Sequence, residues 1–266
     1  MDFCVAVSPI RWVPIVDRAA SIVDLGFPSV EVMPWNFPYW DAADTVLVRE
    51  RLAAEGLRVN SVHLPFGSDL NILSSDPGLR LHAVEAHHAV MRGSVALGAE
   101  IVVLHPGREY RSDRPLAEIV DLCTELVRDF TEVAAGLGLH VAVENLLPAH
   151  ALSEPRLLRG IVEAIDHPNL GFCLDTGHAN LVGSVDAAME AFAGRIKHVH
   201  IHDNHGAADE HLLPSFGSIA WEGFVDRLVE TGYTGPLTLE CYPPNGVAPE
   251  EILPLLCRAL GVDLGP

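Results

Sequence analysis

The sequence predicts an α/β fold, a (β/α)8 TIM-type barrel forming a single domain over residues 1–266. Three observations carry this expectation. Short apolar runs recur along the chain with helix-length stretches between them, eight of each. Within the runs, bulky aliphatics alternate with small or polar residues, the pattern of strands that face helices on one side and a narrow interior on the other. Hydrophobic residues make up 49% of the 266 positions, enough for one large core, and barrels of this length run as one domain.

Taken in order, strands are expected near residues 3–7, 29–33, 58–63, 100–105, 139–144, 169–175, 196–202 and 236–240. The helices between and after them fall at 14–25, 41–55, 77–97, 115–136, 153–165, 184–193, 220–231 and 249–259. Asp41 and Ser184 stand where side-chain oxygens accept from the free N–H groups of a first helical turn. Gly56, Gly98, Gly138, Gly194 and Gly232 stand where helices should stop. A doubly wound sheet is the alternative, because spacing does not contain strand order.

Alternation assigns faces. In VAVE, Val141 and Val143 oppose Ala142 and Glu144; in GFCLD, Phe172 and Leu174 oppose Gly171, Cys173 and Asp175; in LTLE, Leu237 and Leu239 oppose Thr238 and Glu240. In HVHIH, Val199 and Ile201 face the helices, so His198, His200 and His202 face the barrel axis. Lys197 is out of phase with them and is expected to point towards the helices. It is the only lysine, which sets aside a Schiff-base aldolase.

Composition narrows the function classes. Against 36 acidic residues stand 17 basic ones, a net charge of −19, with no basic stripe to neutralise a phosphate backbone, and this weighs against a nucleic-acid partner. The five cysteines (Cys4, Cys123, Cys173, Cys241, Cys257) are scattered and never in C-x-x-C spacing, as for thiols in a reducing compartment. The opening MDFCVAVSPIRW lacks a basic segment followed by an apolar one, and no apolar run approaches the roughly 18 residues that cross a bilayer. A cytoplasmic protein with no membrane partner is expected.

Six consecutive strands finish on a residue able to bind a metal: His63, His105, Glu144, Asp175, His200 and Glu240. Barrel active sites occupy the C-terminal rim, where these side chains converge. Buried carboxylates without a cation are costly, so a divalent ion is the simplest relief. Mixed imidazole and carboxylate donors suit Mn²⁺, Zn²⁺, Co²⁺ or Fe²⁺.

The segments SVHLPFGSDLNI, VVLHPG, VAVEN, FCLDTGHAN, HVHIHDN…DEH and GYTGPLTLE together resemble the xylose-isomerase-like barrel superfamily, over nearly the whole chain. That group holds sugar isomerases and epimerases together with endonuclease IV. The resemblance implies a metal held by Glu144, Asp175, His200 and Glu240, with Glu144 and Glu240 exchanging the proton beside a substrate carbonyl and His178 touching a substrate oxygen. Endonuclease IV relatives hold three zinc ions, and their ligand positions fall on His63, His105, Glu144, Asp175, His178, His200, Asp209, His211 and Glu240. His63, His105, His178, Asp209 and His211 are therefore additional candidates for metal or substrate. The chain departs from the usual GEG turn after DEH, reading LLPSFGSIAW.

The expected activity is a divalent-metal-dependent isomerase or epimerase of a sugar or sugar phosphate, abstracting a proton next to a carbonyl through a metal-stabilised enediolate. The alternatives are an endonuclease-IV-like zinc phosphodiesterase on abasic DNA and a metal-dependent lyase on an oxidised sugar. Besides His178, two residues are expected near substrate: Glu31 at the end of strand two, and Trp35 in the aromatic segment MPWNFPYW, which also offers a surface for a homo-oligomer. His82, His87 and His88 fall on a helix and are expected to be exposed, His205 to be solvated, and Arg108 to pair with Glu109 or Asp113.

Overall fold

The structure, a computed structural model, describes residues 2–6, 15–33, 42–107, 114–241 and 246–263. Eight strands, β1 (Phe3–Ala6), β2 (Ser29–Val32), β3 (Arg58–His63), β4 (Ile101–Leu104), β5 (His140–Glu144), β6 (Leu170–Asp175), β7 (Ile196–Ile201) and β8 (Leu237–Leu239), run in sequence order around a closed barrel. Each neighbour pair is parallel, and β8 closes on β1 through Phe3–Leu237, Cys4–Thr238 and Val5–Leu239. Closure removes the doubly wound alternative.

Around the barrel lie α1 (Ala19–Asp24), α2 (Ala42–Ala54), α3 (Pro77–Leu97), α4 (Leu116–Gly136), α5 (Pro155–Ile165), α6 (Thr176–Val182), α7 (Val185–Phe192), α8 (Phe224–Glu230) and α9 (Ile252–Leu260). The local reasons are visible in the sequence. Asp76 caps α3 by accepting from the N–H groups of Gly78 (2.7 Å) and Leu79 (3.0 Å), Pro77 suits the first turn, and Gly98 ends it in the left-handed region at φ 84°. Ser184 caps α7 through the N–H of Ala187. Asp41, the expected start signal of α2, lies outside the described residues. The helix expected from residue 220 begins instead at Phe224, because Trp221 is drawn inward by a hydrogen bond to Asp203 (2.9 Å). The short α6 was not expected: TGHANLV has no apolar stripe, and the helix starts on a cap supplied by Asp175.

The core divides as alternation requires. Val141, Val143, Phe172, Leu174, Val199, Ile201, Leu237 and Leu239 pack outward in one large layer under the helices. Phe172 stacks on Phe192 of α7, ring centres 4.1 Å apart. Inside the barrel a separate small cluster, Val103, Ala142 and Cys173, plugs the interior, and polar side chains fill it further along the axis. One face assignment is corrected. A register shift between Phe172 and Cys173 lets Lys197 bulge, and a Cβ at Gly171 would lie 2.8 Å from its Cγ. Lys197 therefore lies against Gly171 at the start of β6 rather than under the helices, at the far end of the strand from Asp175.

Candidate functional site

Strand register brings the rim together: Glu144 pairs with Cys173 across β5 and β6, and Asp175 with His200 across β6 and β7. Glu240, just past β8, stays in the ladder by donating its N–H to Ile201 (3.1 Å). These residues meet at one atom. Nδ1 of His200 lies 3.1 Å from Glu240 Oε2, 3.7 Å from Glu144 Oε2 and 3.8 Å from Asp175 Oδ2. It makes no hydrogen bond of acceptable geometry although it is fully buried. An imidazole nitrogen ringed by three carboxylates fits a divalent cation that takes mixed nitrogen and oxygen donors.

Without a cation the site holds protons instead. Burial opposes charge on His200, but Cys173, Glu31 and Glu240 outweigh it and push its pKa well above the ordinary histidine value. Burial would raise Glu240, but His200 and His211 hold it below the usual carboxylate range.

Behind Glu144 lie further donors. His63 Nε2 and His105 Nε2 approach its Oε2 at 3.3 and 3.2 Å, and His178 Nδ1 approaches Oε1 at 3.2 Å. Against the cost of burial, His105, His178 and His63 keep Glu144 ionised far below its ordinary pKa. A third group follows: Asp209 Oδ2 lies 3.6 Å from His178 Nε2 and 3.1 Å from His211 Nε2. His211 donates from Nδ1 to the Glu240 carbonyl (2.7 Å) and, with Asp209 and Glu240 outweighing burial, titrates at about 9. All nine rim positions named from the sequence thus surround one region.

The loop after β7 carries Asp209 and His211, and its shape comes from Asp203. That fully buried carboxylate accepts from the backbone N–H groups of Asn204 (2.8 Å), Ser215, Gly217 and Ile219 (3.1 Å each) and from Trp221 Nε1 (2.9 Å). A two-way backbone bridge joins Asp203 to Leu212. The LLPSFGSIAW sequence therefore closes its loop without a GEG turn.

A cavity of about 290 Å³ opens over the rim, walled by His63, His105, Glu144, His178, Asp209, His211 and Glu240 and by the apolar Leu70, Ile72, Leu146 and Leu147. Phe66 stands at its edge, 4.5 Å from the His105 ring and 4.8 Å from that of His63. The expectation for Glu31 does not match its position: it is fully buried, does not line the cavity, and holds His198 Nε2 at 2.9 Å, His200 Nε2 at 3.0 Å and the Ser61 hydroxyl at 2.7 Å. Trp35, Arg108, Glu109 and Asp113 lie outside the described residues.

His87 is a correction. Rather than exposed, it is buried at the cavity wall, stacks on Phe130 and donates to the Ala83 carbonyl at 2.7 Å; burial drops its pKa to about 4. His82 is exposed, His88 is half-buried beside Asp129 (3.0 Å), and His205 is exposed and bonded to Glu210. Asn145 was passed over although VAVEN contains it. Its amide accepts from the N–H of Asp175 and donates to the Asp175 carbonyl, both at 2.9 Å, extending the β5–β6 ladder past Glu144.

The model of the xylose isomerase-like TIM barrel family matches residues 19–257. The chain belongs to that family. An uncharacterized protein of Methanocaldococcus jannaschii is 36% identical over 186 residues, 67% of this chain and 63% of that protein, so the match spans less than two thirds of that relative. A ketose 3-epimerase of Arthrobacter globiformis is 26% identical over 251 residues, 90% of this chain and 80% of its own. A probable endonuclease 4 of Solibacter usitatus is 29% identical over 176 residues, 60% of this chain and 57% of its own. The crystal structure of a D-tagatose 3-epimerase-like protein superposes with a TM-score of 0.82 at 28% identity, covering 98% of each chain.

Proposed function

We propose that the chain is a divalent-metal-dependent sugar epimerase or isomerase. One observation carries the reading: Glu144 and Glu240, from strands separated by β6 and β7, reach the same His200 nitrogen and both wall the cavity. Carboxylates that flank a bound sugar can take a proton from one face of the carbon beside its carbonyl and return one from the other, which inverts that carbon. Return to the neighbouring carbon interconverts ketose and aldose.

Glu144, held ionised by His105, His178 and His63, is the proton acceptor. Glu240, likewise ionised in the free site, is the second carboxylate: it takes up a proton from solvent and returns it to the opposite face, while Glu144 releases its own to solvent. His178, fixed by the Asn145 carbonyl at 2.9 Å, presents Nε2 to the cavity for a substrate oxygen. A divalent ion held by Glu144, Asp175, His200 and Glu240 would supply the Lewis acid that draws negative charge onto the substrate oxygens. The likeness to ketose 3-epimerases supports a ketose as substrate.

The test is proton exchange. With Mn²⁺ or Co²⁺ in deuterium oxide, the protein should place deuterium beside the carbonyl of a ketohexose such as D-tagatose, and Glu144→Gln and Glu240→Gln should each lose this by at least about 100-fold. A metal-loaded protein that exchanges no proton in any ketohexose or aldohexose sinks the reading.

A second reading, a zinc phosphodiesterase on abasic DNA, is favoured by the groups His63–His105–Glu144 and His178–Asp209–His211 beside the first. The net charge of −19 weighs against it. Three zinc ions per chain together with incision of abasic duplex would establish it in place of the first.

A further inference from the structure

His202 follows His200 on the inward face of the chain but does not wall the cavity. Its ring is fully buried, and Nε2 lies 3.0 Å from both oxygens of Asp175. An ionised carboxylate only accepts, so Nε2 carries the proton and donates. The His202 backbone is locked to α6: its N–H donates to Thr176 Oγ1 at 3.0 Å, and that hydroxyl donates back to the His202 carbonyl at 2.8 Å. The other face of the ring stacks on His211, centres 4.0 Å apart.

Asp175 needs this partner. Its Oδ1 caps α6 through the N–H of His178 (2.7 Å), while Oδ2 is the oxygen turned towards His200. Asn145 fixes the backbone of Asp175 but not its carboxylate. A proton shared between both oxygens sets the plane of the group.

Gly177 completes the arrangement. It lies within α6, and its φ is not in the left-handed region, so conformational freedom does not account for the glycine. Close approach does. A Cβ there would fall 2.0 Å from Cε1, 2.3 Å from Nδ1 and 2.7 Å from Nε2 of His202, inside the ring's own volume.

We propose that His202 is a positioning residue that sets the Asp175 carboxylate for metal, and that position 177 is glycine to admit its ring. This rests on the reading of Asp175 as a ligand. The test uses the full chain stripped of metal, with Zn²⁺ alone as probe in competition with a chromophoric chelator. Asn at 202 is too short to replace the Nε2 donor, whereas Gln reaches it. His202→Asn should weaken zinc binding about 10- to 100-fold, and His202→Gln should stay within about fivefold of wild type.

Independently of metal, Gly177→Ala should lower the Tm of the wild-type background, and by less than half as much in His202→Asn. Equal zinc affinity for the Asn and wild-type proteins, or equal loss in Asn and Gln, overturns the positioning role and leaves the metal reading standing. A wild-type protein that takes up no zinc removes both. The same Tm loss from Gly177→Ala in either background overturns the steric pairing.

Discussion

Glu31 lies beneath the rim and holds the Nε2 edge of both His198 and His200, which leaves Nδ1 of His200 facing the three carboxylates. A carboxylate paired behind an imidazole that would ligate a metal is worth about 10- to 100-fold in affinity. Glu31→Gln should therefore weaken zinc binding by about that factor without unfolding the protein, as read by chelator competition and circular dichroism. Unchanged affinity would leave Glu31 with a packing role only. A second residue-scale prediction concerns pH. In the metal-free protein His211 is raised to about 9, and His178 and His200 are raised well above the ordinary value. A raised folded-state pKa stabilises fully below the unfolded value, about 6.5, and that contribution is lost as pH climbs through the folded value. The Tm of the metal-free protein should fall between pH 6.5 and about 9. Zinc should reduce the fall, since it takes the Nδ1 lone pair of His200, and its binding should release protons measurable by calorimetry in buffers of different ionisation enthalpy. His211 also sits at φ 48°, a left-handed position for a non-glycine residue; its hydrogen bond to Glu240 and the bridge from Asp203 to neighbouring Leu212 hold it there.

At the scale of elements, the loop after β7 is organised by one side chain. Five donors converge on Asp203, and removing it leaves those of the buried Asn204, Ile219 and Trp221 without an acceptor, each costing about 1–3 kcal/mol. Asp203→Ala should lower Tm and speed amide hydrogen exchange at Ser215, Gly217 and Ile219, while exchange in β5 and β6 stays slow. Uniform change across the barrel would mean that the loop is not a separate unit. Helix α6 shows how one residue serves two levels: Asp175 caps it through the N–H of His178 and turns its other oxygen towards His200 at the rim. The sequence offered Asp175 as a ligand, and the helix it starts went unseen because no apolar period announces it.

For the whole molecule, the barrel separates stability from chemistry. The outer layer, including the Phe172–Phe192 stack, carries the burial, and the rim carries the charge. Phe172→Ala should cost about 3–5 kcal/mol of unfolding free energy by denaturant titration, with zinc affinity of the folded protein unchanged. A parallel loss of zinc affinity would show that the two are coupled through β6. Strand positions, the helices other than α6 and the six metal-capable strand ends could be read from the chain, because the periods that mark strands and amphipathic helices are local properties that each element carries alone. By itself the sequence determined which residues point inward at the rim and that they are carboxylates and imidazoles. Tertiary structure alone decided that Glu31 supports from below, that His87 is covered by Phe130, that a bulge reverses Lys197, and that His202 occupies the space a side chain at 177 would need. Those outcomes depend on the register between strands and helices distant in sequence, and a one-residue shift there changes which side chains meet.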